Sequence, residues 1–145
     1  MKNNEYKNKS IVKIYFKDLR INMDLYNKKL FIFDLDGTLV DTAPDFKNSL
    51  NYMLNEINEE TIELDEIRNL VGYGARELIR RTVESKGIQH DDKKINDMLK
   101  IFLLHYTHNI DDDSVLFENV EDALLYLKEK NIKLAVCTNK MEKLS

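Results

Sequence analysis

The spacing of apolar residues along the 145-residue chain changes several times, and each change predicts an element. Val12, Ile14 and Phe16 alternate with Lys13, Tyr15 and Lys17, a weak strand pattern. Leu30 to Asp36 reads as a short, buried strand. The period then becomes helical. Phe46, Leu50, Met53, Leu54 and Ile57 share one face, and Pro44 and Asp45 suit a first turn. Leu64, Ile67, Leu70 and Val71 predict a second, shorter helix that the Gly72-Tyr73-Gly74 run breaks. Leu78, Ile79, Thr82 and Val83 mark a third, with Gly87 as its stop. Ile95, Met98, Leu99, Phe102 and Tyr106 mark a fourth, and Asp111 to Asp113 form an exposed loop. Val120, Ala123, Leu124 and Leu127 mark a fifth, ending near Asn131, and Ile132 to Thr138 is a second buried strand.

Two short apolar strands separated by helices are expected to run parallel in an α/β arrangement. Chemistry in such sheets gathers at the carboxyl ends of the strands, where Asp34 and Thr138 fall. Composition narrows the partners. The net charge of −4 does not suggest a general nucleic-acid or membrane-surface role. Residues 1–30 carry eight Lys/Arg against three Asp/Glu, so the remainder is distinctly acidic and the basic part is an N-terminal arm. Residues 1–10 are polar and expected to lack order. The plainer reading of residues 1–22 is a start at Met23 preceded by a poorly packed extension; a basic anchor for a partner is the alternative. The single cysteine, Cys137, excludes an internal disulfide and suits a reducing, cytoplasmic setting. No apolar run is long enough to span a bilayer, and the N-terminus makes a poor signal peptide.

The sequence from Lys29, KLFIFDLDGTLVDTAPDF, aims an apolar strand at two carboxylates spaced two apart. In extended backbone Asp34 and Asp36 point the same way, into one site. Neighbouring carboxylates repel unless a cation joins them, and their hard oxygens suit Mg²⁺, which takes one or two carboxylates and keeps several waters. Gly37 lets backbone approach a phosphate, and Thr38 adds a hydroxyl. These parts fit phosphoryl transfer to an aspartate nucleophile. An isolated Asp-Gly would favour an ordinary β-turn instead.

FDLDGTLVDT resembles the first motif of the haloacid dehalogenase-like hydrolase superfamily. LAVCTNK at 134–140 resembles the second motif in its phosphoglycolate phosphatase form, and VGYGAREL at 71–78 resembles the cap segment of that subgroup. The resemblance implies a Rossmann-like α/β parallel-sheet core with a small helical cap inserted after the first strand. On that basis residues 1–28 are a basic extension, 29–43 and 115–145 a partial core, and 44–114 the cap. It also implies roles. Asp34 would attack phosphorus and become an aspartyl phosphate, and Asp36 would protonate the leaving alkoxide and then activate water. The Asp34 carboxylate and the Asp36 carbonyl would hold Mg²⁺. Thr38, Thr138 and the Asn139 backbone N–H would meet the phosphoryl group, while Gly72, Gly74 and Arg76 would face the substrate from the cap. Arg76 would pair with a substrate carboxylate such as that of 2-phosphoglycolate, with a surface salt bridge as the plainer reading.

The chain departs from the family pattern in two ways. The later lysine and the later acidic residues of the family are not found up to Ser145, so the core is expected to be incomplete. Lys140 belongs to the second motif and is not assigned the missing lysine's duty. Glu118 and Asn119 also stand where the subgroup has Pro-Gly. The chain is therefore expected to be a weak or inactive phosphatase of small phosphorylated metabolites on its own, with a second chain carrying the missing core half as a possible partner. Within the enzyme class a pyrophosphatase or nucleotidase is the rival and a phosphosugar mutase a weaker one; a non-catalytic remnant of a split or degraded gene is the rival outside it. His90, His105 and His108 are expected to be partly exposed helix residues rather than ligands, Asp111 to Asp113 a solvated loop rather than a Ca²⁺ site, and Cys137 a buried structural thiol.

Overall fold

The structure is a computed structural model, and it describes residues 11–16, 19–24, 28–68 and 70–144. The first ten residues, and so their expected lack of order, lie outside the described residues. The described residues group into two compact units: the described part of Met1–Phe33 with Glu118–Val136, and Asp34–Phe117 with Cys137–Ser145.

In the first unit, strands β1 (Ile11–Phe16) and β2 (Leu19–Asp24) pair antiparallel, with Ile11 opposite Asp24 and Phe16 opposite Leu19. The sequence pattern marks only the first of these. Strand β3 (Leu30–Phe33) pairs in parallel with a strand from the far end of the chain (Lys133–Val136), Leu30 opposite Lys133 and Phe33 opposite Val136. That parallel pairing is the one expected of an α/β core. Both strands are shorter than the sequence suggests: Asp34 to Asp36 and Cys137 to Thr138 lie beyond them. Nor are they buried. Leu30, Ile32, Leu134 and Val136 are exposed, because among the described residues the pair makes a two-stranded sheet with no further strand beside it.

The second unit holds the larger core. A short strand β4 (Val40–Asp41) leads into α1 (Ala43–Glu56), followed by α2 (Leu64–Arg68), α3 (Ala75–Ser85) and α4 (Asp92–His108), after which β5 (Val115–Leu116) pairs antiparallel with β4. The periodicity predicts these four helices; the two-residue strands carry no periodic signal. The second helix stops at Arg68, and Leu70 and Val71 lie in the turn after it. Leu50, Met53 and Leu54 of α1 are fully buried, as are Ile79 and Val83 of α3 and Phe102 of α4. Phe46 stacks on Tyr106 at 4.7 Å between ring centres and lies 6.1 Å from Phe102. Such a core residue contributes strongly: truncating a buried phenylalanine costs about 3–5 kcal/mol.

Polar groups pin the helices at defined points. Asp91 caps α4 by accepting the Lys94 N–H at 2.7 Å. Buried Asp45, in the first turn of α1, accepts the Asp113 N–H at 2.9 Å and the Ser114 hydroxyl, so the carboxylate read as a dipole partner also anchors a distant loop. Asp111 to Asp113 are exposed, as expected of that loop. His105 shares a hydrogen bond with Ser49 Oγ at 3.0 Å and stacks on Tyr52 at 4.5 Å.

The fifth helix, α5 (Val120–Glu129), precedes the strand β6 (Lys133–Val136) in the first unit. Asn119 caps it with φ +65°, a left-handed conformation that Asn tolerates better than most residues, so the departure at Glu118-Asn119 is sterically accommodated. Asn131, at φ +56°, ends the helix as the sequence suggests. Cys137 is exposed, not the buried thiol expected, as are Leu134 and Val136 of the strand before it. No helix among the described residues is long and apolar enough to cross a membrane.

Two outcomes follow from these contacts. Thr42 stands at the cap position of α1, yet its buried Oγ1 has no hydrogen-bond partner. Thr42→Val is therefore expected to leave the melting temperature unchanged or raised, unlike an ordinary cap substitution. Separately, the Arg80 and Arg81 guanidiniums hydrogen-bond Glu77 and lower its carboxyl from 4.5 to about 2. The stabilisation from Glu77 is fully present above pH 4.5 and is lost as pH falls through about 2. A carboxyl-carbon NMR titration of the folded chain should show Glu77 titrating in that low range.

Candidate active site

All but one of the sequence-singled site residues line a single cavity of about 160 Å³ in the second unit: Asp34, Asp36, Gly72, Gly74, Arg76, Thr138 and Asn139. Thr38 is not among its lining residues; its N–H donates to the Leu35 carbonyl at 3.2 Å within the motif turn.

That turn brings the two aspartates into the cavity in a different way from the extended strand first envisaged. After Phe33 the chain bends at Leu35, whose carbonyl accepts the N–H groups of Thr38, Leu39 and Val40 at 3.0–3.2 Å. Gly37 makes this coil possible with φ +75°, and its N–H donates to the Val40 carbonyl at 2.8 Å. Asp34 is exposed and accepts the Leu35 N–H at 2.7 Å. The Asp36 side chain is buried, 9 % exposed, and pairs with Lys140 Nζ at 3.1 Å.

A further part of the wall comes from the segment after β6. The Thr138 hydroxyl oxygen accepts the Lys140 N–H at 3.1 Å, which curls this segment back. The Asn139 side chain donates to the Gly72 carbonyl at 3.2 Å, joining the segment to the glycine run ahead of α3. Gly74, at φ +84° and ψ 154°, occupies backbone space that is essentially reserved to glycine, and the first turn of α3 begins from it. Arg76, in that turn, does not reach inward: its guanidinium bonds Asp92 at 2.6 Å and Asn96 at 2.7 Å, the surface salt bridge that was its plainer reading.

Lys140 and Tyr106 are the residues that sequence reasoning left out of the site. The Lys140 side chain is only 7 % exposed, donates to the Tyr106 hydroxyl at 2.6 Å, and lies 5.6 Å and 5.1 Å from the ring centres of Phe46 and Tyr106. Burial, with the negative charges of Asp36 and Asp45 adding to it, pushes the Tyr106 phenol well above its ordinary range, so it stays protonated. Tyr106 reads in the sequence as a core position on the fourth helix, and nothing local ties it to a lysine 34 residues on.

The Asp34 carboxylate and the Asp36 backbone carbonyl offer hard oxygens of the kind Mg²⁺ takes, with waters in the remaining positions, while the Asp36 carboxylate is paired with Lys140. No cluster of three or more His, Cys, Asp or Glu side chains suited to a metal occurs among the described residues.

Residues 31–145 match the model of the haloacid dehalogenase-like hydrolase family. The chain is 41% identical over 121 residues to the phosphoglycolate phosphatase of Colwellia psychrerythraea, covering 81% of this chain and 54% of that protein. It is 40% identical over 119 residues to that of Caulobacter vibrioides, covering 82% of this chain and 50% of that protein. A solved structure described as a predicted phosphoglycolate phosphatase from Haemophilus somnus superposes with a TM-score of 0.72 at 31% identity, covering 82% of this chain and 55% of that one. The chain thus spans about half the length of the curated relatives it matches. The family match over most of the chain makes this protein a member of the haloacid dehalogenase-like hydrolase family.

Proposed function

We propose that the cavity hydrolyses small phosphomonoesters, 2-phosphoglycolate among them, with Asp34 as the nucleophile. The observation that carries this reading is the convergence of Asp34, Asp36 and Thr138 on one cavity although Thr138 comes from the far end of the chain. A carboxylate oxygen of Asp34 attacks phosphorus as the ester P–O bond breaks, and Asp36 gives a proton to the departing alkoxide. Water then attacks the aspartyl phosphate, returns a proton to Asp36 and restores the Asp34 carboxylate. Each cycle turns an ester and water into an alcohol and phosphate.

Mg²⁺ bound through Asp34 and Asp36 would neutralise charge on the phosphoryl group. The Thr138 hydroxyl and the Asn139 backbone N–H, both from residues that line the cavity, would orient phosphoryl oxygens. Gly72 and Gly74 present bare backbone to the cavity, so the substrate is met there by peptide groups. Arg76 can exchange its exposed partners for a substrate carboxylate at small cost, since surface ion pairs contribute only about 0–1 kcal/mol. The relatives named phosphoglycolate phosphatases support that choice of substrate. With one carboxylate and one carbonyl, and no group of three or more His, Cys, Asp or Glu suited to a metal among the described residues, the ion is expected to be held weakly and turnover by this chain alone to be slow.

The test is phosphate release by the full chain from 2-phosphoglycolate, pyrophosphate and a nucleoside monophosphate. Mg²⁺-dependent release is expected, with 2-phosphoglycolate preferred, and chelation should abolish it. Asp34→Asn should remove both release and the acid-stable phosphoenzyme. Release that survives Asp34→Asn undiminished would rule out the proposed nucleophile. Asp36→Asn is expected to lower the rate by about 10²–10⁴.

A further inference from the structure

The described residues that line the cavity divide by element. Asp34, Asp36, Thr138 and Lys140, which carry its charge and its free hydroxyl, come from the motif turn and the segment after β6. The turn before α3, and α3 and α4 themselves, contribute Leu70, Val71, Leu78, Leu99 and Leu103. Polar groups on this helical side are committed elsewhere. The Tyr106 hydroxyl meets Lys140, and Arg76 is nearly half exposed and turned to Asp92 and Asn96. What the helices offer a bound group is therefore hydrocarbon.

Helical periodicity explains why that hydrocarbon is open. On α4, Ile95, Met98, Phe102 and Tyr106 are buried in the helical core. Leu99 and Leu103, one turn apart on the neighbouring stripe, are only partly buried. The apolar face of α4 is wider than the core that covers it, and the surplus borders the cavity. It also lies close to the carboxylates. A side-chain carbon added at Gly37 would stand 3.5 Å from Val71 Cγ1, so Val71 abuts the motif turn itself. The Asn139 side chain, bonded to the Gly72 carbonyl, ties the next residue to the segment of Thr138. An alcohol joined to a phosphoryl group at Asp34 would extend onto Val71 and the leucines beyond it.

We infer that the cavity seats phosphomonoesters of small apolar alcohols, their hydrocarbon held against Val71, Leu99 and Leu103. This rests on the proposed phosphomonoester chemistry and adds a substrate class to it. The balance is the same: the P–O bond to the alkoxide breaks, the alkoxide leaves with a proton from Asp36, and the water that frees phosphate returns a proton to Asp36. Size sets the limit. The cavity's volume of about 160 Å³ is close to the roughly 150 Å³ that holds a benzene ring in an apolar protein cavity, which leaves room for about four carbons beside the phosphoryl group. A sugar or nucleoside in the same place would bring hydroxyl groups to side chains that cannot pair them.

Methyl-, ethyl-, propyl- and butylphosphonate, which have no ester bond to cleave, test the inference by calorimetry on the full chain with Mg²⁺. Affinity should rise about two- to fourfold with each methylene. Inorganic phosphate should displace butylphosphonate, and Ala75→Leu, which fills the hydrocarbon end, should flatten the series. The corresponding alkyl phosphates should follow the same trend in kcat/KM, because their alcohols leave with nearly equal intrinsic ease. Four outcomes would each overturn the inference: equal affinity from methyl- to butylphosphonate, butylphosphonate that phosphate cannot displace, a series as steep in Ala75→Leu as in the wild type, or no binding of any of the four. The wild-type series decides even if Ala75→Leu does not fold. Equal affinities alongside Asp34-dependent turnover of methyl phosphate would remove the hydrocarbon seat and leave the phosphatase reading standing. A steep series without turnover of any alkyl phosphate would uphold the seat and count against Asp34 as nucleophile.

Discussion

The buried contact between Lys140 and Asp36 is the constraint on which the site depends. Both side chains are more than nine-tenths buried, and they lie 104 residues apart in the chain. Removing one partner of such a pair strands the other charge away from water, at a cost of about 3–5 kcal/mol. The pair as a whole adds much less than that to stability, because desolvation offsets most of the attraction. Its value is positional. Through Lys140 the motif turn, the segment after β6, the start of α1 and the end of α4 are brought to a common point.

The helical core makes that point rigid. Tyr106 receives the lysine at its hydroxyl and stacks on Phe46 at its ring, so one side chain belongs to both the packed interior and the cavity wall. Buried and protonated, it offers a neutral partner to an ammonium already facing a carboxylate. The backbone contributes as well. Gly37 lets the aspartate turn close on itself, and Gly74 launches α3 from a conformation that other residues avoid. A cavity held in this way would spend little of a ligand's binding energy on ordering its own walls.

Much of this was legible in the residues. The helical stripes of α1, α3 and α4 followed from apolar spacing, because each helix buries one face against the others. The parallel pairing of Leu30–Phe33 with Lys133–Val136 followed from strand, helices, strand. The convergence of Asp34 and Thr138 followed from their places after those strands. The exposure of Cys137, Ile32 and Val136 did not, because a run of apolar residues states what a segment can bury and not whether a neighbour covers it. Lys140 and Tyr106 escaped for another reason: their partnership depends on three-dimensional closure, which no local period encodes.

One small feature governs how the large helical segment is attached. Asp41 and Val115 face each other across the two-residue ladder, and the Phe117 N–H donates to the Leu39 carbonyl at 3.1 Å. Everything between therefore departs from and returns to one doorway. A polymer excursion with clamped ends has its closure entropy settled at the clamp, and lengthening it adds only slowly to that cost. The enclosed helices can consequently lengthen or be exchanged as a cassette while the aspartate turn outside the clamp stays as it is.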